Sequence, residues 1–169
     1  MTDKKTTKLS YYGMCLAIAL ILSYVEAMIP INPGVPGAKL GLPNIVTVLL
    51  IYTAGGQAAL IIGLLRIVLN GFLFGNLFAI LYSAAGFALS FIAMLLLKKT
   101  DKFGITGVSA VGGIMHNVGQ ICVAAMLTNG SVYAYLPVLM IIGAVSGVVI
   151  GITGGLITDR VSAFFRKLL

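Results

Sequence analysis

Five polar side chains lie inside long apolar stretches of this sequence, and their types limit the chemistry on offer. Arg66 and Asn70 share one stretch; His116, Asn117 and Gln120 share another. On a helix, residues four apart lie on one face, so Asn70 falls beside Arg66 and Gln120 beside His116. An arginine fork in apolar surroundings suits a carboxylate or a phosphate. Glu26, towards the end of an earlier apolar stretch, is placed to pair with Arg66. Arg66 is therefore either half of an ion pair that holds helices together or a ligand contact. The His116, Asn117 and Gln120 group divides the same way, between hydrogen bonds to other helices and hydrogen bonds to a bound molecule. A single histidine with no carboxylate or thiol nearby argues against a metal site.

Lys39 and Asn44 belong to a different kind of segment. From Pro30 to Asn44 the chain reads PINPGVPGAKLGLPN, whose prolines and glycines break helices and favour a shaped loop. That loop is either a plain connector or a lid over a cavity, with Lys39 and Asn44 reaching the ligand.

The elements that hold these residues must be membrane helices. Hydrophobic residues make up 60% of the 169 and charged residues only 9%, against roughly 25% charged in a soluble domain. Too little charge is present to coat a globule, which excludes a soluble enzyme. A spanning helix needs ~20 mostly apolar residues, and six segments approach that, at 11–29, 43–54, 57–72, 76–97, 105–127 and 135–157. The expected fold is thus an all-α integral membrane protein, a single domain of about six transmembrane helices over 1–169. The second segment is short, so it either tilts and extends through its flanks or forms a re-entrant pair with the third.

The net charge of +7 does not point to nucleic acid, because the cations are not gathered along one stripe. Lys4, Lys5 and Lys8 precede the first apolar run, Lys98, Lys99 and Lys102 fill one linker, and Arg160, Arg166 and Lys167 follow the last run. By the positive-inside rule all three clusters, and so both termini, belong in the cytoplasm of a multi-pass cell-membrane protein. The first apolar run is too long for a signal-peptide core and no small-residue cleavage site ends it, so it is expected to stay. Cys15 and Cys122 lie in separate runs, at depths that make a disulfide an unsuitable pairing, and act as small packing residues.

Two ridges of small residues recur at a spacing of four: Cys15, Ala19, Ser23 and Ala27 on the first helix, and Gly143, Gly147, Gly151 and Gly155 on the sixth. Such ridges permit close helix approach, either within the chain or to a partner protein.

Taken together, the Lys39-Leu-Gly-Leu-Pro-Asn44 loop end, Gly55-Gly56, Gly63-Leu-Leu-Arg66, Asn70-Gly-Phe-Leu-Phe-Gly75 and His116-Asn117-Val-Gly-Gln120 resemble the Gx transporter family. That family also goes under the description heptaprenyl diphosphate synthase component I, and it is similar to the substrate-binding S components of energy-coupling factor (ECF) transporters. The resemblance implies a six-helix protein that captures a vitamin- or isoprenoid-like molecule in its outer half, under the first external loop. It implies as partners a membrane coupling protein and two ATPases, with Cys15, Ala19 and Ser23 as the docking ridge, where S components often carry Ala-x-x-x-Ala. The synthase description meets a chemical objection, since prenyl diphosphate synthesis uses aspartate clusters that hold Mg²⁺. Asp3, Asp101 and Asp159 have no acidic neighbours, and no P-loop is present. The expectation is a non-enzymatic transport subunit without cofactors; the alternatives are a membrane subunit of a quinone, flavin or extracellular electron-transfer system, or an accessory subunit of prenyl synthesis.

Overall fold

A computed structural model describes residues 4–29, 40–127 and 131–168. Among these the chain forms six α-helices and no strand: α1 (Lys4–Met28), α2 (Asn44–Thr53), α3 (Gly56–Phe74), α4 (Leu77–Lys99), α5 (Ile105–Leu127) and α6 (Leu136–Leu168), with a 3-10 turn at Ser131–Tyr135 before α6. All but α2 are long and apolar enough to cross a membrane. Two helices outrun the apolar segments they contain, α1 starting before residue 11 and α6 continuing past 157. Hydropathy marks where apolar surface stops, whereas a helix stops only where a breaker stands, and Lys, Ser and Thr are tolerated.

Contacts with α1 fix the path of the short helix. Near the far end of α1, the Glu26 carboxylate accepts the backbone N–H groups of Gly41 and Leu42, just ahead of α2. Near its start, Tyr11 Oη lies 2.9 Å from Thr53 Oγ1 at the end of α2. Thr53 gives its own proton to the Leu49 carbonyl at 2.7 Å, so Tyr11 is the donor between them. Residues 40–53 therefore run beside residues 26 to 11 of α1, a drop of ~22 Å at the helical rise. Gly55, with a φ of 91° that favours glycine, turns the chain, and α3 climbs back until Phe74 meets Tyr24 with ring centroids 5.0 Å apart. A pair that turned back halfway would leave Thr53 beside the middle of α1. Lys98 on α4 closes the turn by donating to the Ile51 carbonyl, its ammonium 4.7 Å from the Tyr52 ring centre. α2 is buried along most of its length, from Val46 to Ile51, which suits a helix apolar on all sides.

Most of each small-residue ridge is spent inside the chain, although Ala27 is exposed. Built-on Cβ atoms at Gly143, Gly147 and Gly151 would fall 2.6 Å from Gly113 O, Ser109 O and Thr106 Cα, so α6 lies backbone to backbone on α5. A second close crossing joins α5 to α4, where a Cβ on Gly119 would fall 2.5 Å from the Ala85 carbonyl. On α1 the buried face is Tyr11, Cys15, Ala19 and Ser23, packed against α3 and α2. Ser23 Oγ donates to the Ala19 carbonyl at 2.8 Å. The docking ridge expected at Cys15, Ala19 and Ser23 thus faces the chain's own core. Four-residue spacing identifies a helix face suited to close approach without saying whose helix approaches it.

Candidate functional site

Two polar groups form inside the bundle. On α3, Arg66 is buried at 8% exposure, and its Nε and Nη2 have no hydrogen-bond partner. These two nitrogens form the guanidinium edge whose N–H bonds run parallel, the edge that grips a carboxylate or phosphate with two bonds. Asn70, one turn further on, has its Oδ1 buried without a partner. The field of Glu26 reaches Arg66, but one carboxylate oxygen already takes the N–H groups of Gly41 and Leu42. Glu26 therefore ties the end of the first loop to α1, beside an arginine with unmet donors.

The other group is built on α5, where His116, Asn117 and Gln120 are all buried. Asn117 Nδ2 donates to the Leu139 carbonyl of α6 at 2.6 Å, a bond between helices. The His116 ring lies against Gly86 of α4, where an added Cβ would sit 2.9 Å from Cε1. Gln120 Nε2 is buried without a partner. His116 and Asn117 line a cavity together with Asn44 of α2, Ser90 of α4, Ser109 of α5 and Ser146 of α6. Its volume is ≈ 10 Å³, room for about one water molecule. Ser90 Oγ, buried without a partner, lines that space.

The polar residues that the sequence offered as ligand contacts are thus divided between two places. Asn44, His116 and Asn117 come together at the cavity, while Arg66, Asn70 and Gln120 do not line it. α4 packs against both α3 and α5. Lys39 and most of the Pro/Gly loop lie outside the described residues. Ser90, Ser109 and Ser146 went unread in the sequence. A signal was present, because Ser109 stands seven residues before His116 and shares its face. Among the described residues no three His, Cys, Asp or Glu side chains converge as metal ligands would.

The geometry offers hydrogen-bond donors buried in an apolar bundle, with an arginine edge as the strongest. The family model for heptaprenyl diphosphate synthase component I matches residues 15–157, a stretch that holds every polar side chain of both groups. No curated protein and no solved structure matches the chain. Because that match covers most of the sequence, the chain belongs to the heptaprenyl diphosphate synthase component I family.

Proposed function

We propose that this protein is the substrate-binding, S-component-like subunit of a small-molecule uptake transporter. It takes from the outer side of the cell membrane a vitamin- or isoprenoid-like ligand with an anionic or strongly hydrogen-accepting head. The observation that carries this reading is the Arg66 edge, buried with Nε and Nη2 unsatisfied while Glu26 is engaged with the loop backbone. Leaving charged donors unmet in the interior costs about 1–3 kcal/mol or more. A ligand that accepts both bonds recovers that cost on binding. In this reading both termini and the Lys98–Lys102 linker are cytoplasmic, and a membrane coupling protein with two ATPases supplies the energy. The protein itself catalyses no reaction.

Binding by purified protein tests the arginine. Arg66→Gln is compared with the Glu26→Arg, Arg66→Glu double variant for affinity towards a panel of vitamins and isoprenoid phosphates. Stable Arg66→Gln protein that has lost affinity supports the reading. Normal affinity in that variant, or full rescue by the exchange, removes Arg66 from the site.

The family description favours a second reading, an accessory subunit of heptaprenyl diphosphate synthesis. A diphosphate is also an anion that the Arg66 edge would hold. Deletion of the gene separates the two: abolished polyprenyl synthesis in extracts favours the accessory role, and unchanged synthesis with lost uptake favours transport.

A further inference from the structure

We propose that the groove between the start of α1 and the end of α6 holds one anionic phospholipid, at a site separate from Arg66. The groove has a volume of ≈ 440 Å³; Thr7, Ser10 and Arg160 stand towards the helix ends, and Met14, Ile18 and Ile157 line it further in. From Thr7 to Ile18 it follows α1 for ~16 Å, about half of a ~30 Å hydrocarbon core and so one leaflet deep. Its inner walls match an acyl chain, and the polar end matches a lipid phosphate. An arginine fork and two hydroxyls can all donate to phosphate oxygens.

Charge selects among lipids. Lys8 is exposed one turn from Tyr11, which also lines the groove, and Arg160 is exposed on α6. Lys4 and Lys5 bring further positive charge to this end of the sequence, against the carboxylates of Asp3 and Asp159. Basic pockets between membrane helices attract anionic head groups, each cation near the surface contributing about fivefold in binding. A zwitterionic lipid fits the apolar walls equally well but gains little from these cations. The lipid also completes the packing, because α1 and α6 face each other here across the groove.

Native mass spectrometry of the full chain in neutral detergent tests this, with dioleoyl phosphatidylglycerol and dioleoyl phosphatidylcholine as probes. The expected result is one retained phosphatidylglycerol per chain and weaker retention of phosphatidylcholine. Arg160→Gln is expected to lower phosphatidylglycerol occupancy about fivefold. Lys102→Gln, which removes the same charge from the exposed linker outside the groove, is expected to leave it unchanged. Filling the groove with Met14→Trp is expected to displace both lipids. Equal retention of the two lipids overturns the proposal. So does an equal loss from Lys102→Gln and Arg160→Gln, which is diffuse attraction, or a phosphatidylglycerol adduct that survives Met14→Trp. Should Arg160→Gln misfold, Arg160→Lys takes its place, and failure of that variant to keep the preference for phosphatidylglycerol also overturns it. A copurifying protein that excludes lipid from the groove does the same.

Discussion

If Arg66 holds a ligand as proposed, it is costly to the empty protein and useful to the loaded one, an opposition measurable at a single residue. A buried charged group with unmet donors destabilises the fold that contains it. Ligand-free Arg66→Gln is therefore expected to unfold at the same temperature as the unsubstituted protein or higher. Adding ligand is expected to reverse the order, because stabilisation follows occupancy. A large drop in the melting temperature of ligand-free Arg66→Gln would show instead that the guanidinium holds the bundle together. Residue types made Arg66 legible in the sequence, since an arginine in an apolar run demands a reason. Its partners were less legible. Glu26 looked like its counter-ion, but the carboxylate also accepts backbone N–H groups from Gly41 and Leu42, and no pattern of side chains announces a bond to backbone.

At the scale of elements, spacing predicted faces well and neighbours poorly. The glycine ridge on α6 was visible as a four-residue repeat, while its mate on α5 reads Thr106, Ser109 and Gly113, which has no such regularity. Gly147→Ala is expected to force α5 and α6 apart, because its Cβ would fall 2.6 Å from the Ser109 carbonyl. A loss of about 1–3 kcal/mol is expected for such overpacking, read as a lower thermal midpoint. Gly155→Ala is the control: its Cβ would meet Ile105 at an ordinary 4.0 Å, so an equal loss there would remove the close crossing from the argument. On α1, Ala19 is 1% exposed, so Ala19→Leu disturbs the packing of α1 on its own chain before it reports on any partner. The short α2 shows why hydropathy alone left its path open. Its direction is set by the Tyr11 and Lys98 bonds at one end and Glu26 at the other, all made by residues distant in sequence.

For the whole molecule, charge asymmetry predicts the side on which each end lies. Tyr11, Thr53 and Lys98 gather at one end of the bundle, the end with the basic residues that open α1 and close α4. A cysteine placed at Lys99 is expected to resist an impermeant thiol reagent in intact cells and to react once the membrane is opened. Labelling in intact cells would invert the topology and put the Arg66 face inward. Composition alone announced a bundle of long apolar helices, since 9% charge admits few other folds. The division of the polar residues into two groups depended on α4 packing against both α3 and α5, which one-dimensional order does not contain.

The backbone contacts at Gly113, Gly143 and Gly147 and at Gly86 and Gly119 also have a mechanical consequence. They clamp α4, α5 and α6 into one stiff slab, with little side-chain padding to give way. α1 is attached differently, by side-chain packing on α3 and α2 and by hydrogen bonds at Tyr11 and Glu26. Pulled from its ends, the chain is therefore expected to peel α1 away at low force and to surrender the α5–α6 hairpin last. The residues that hold the first loop, Glu26 among them, ride on the part that yields.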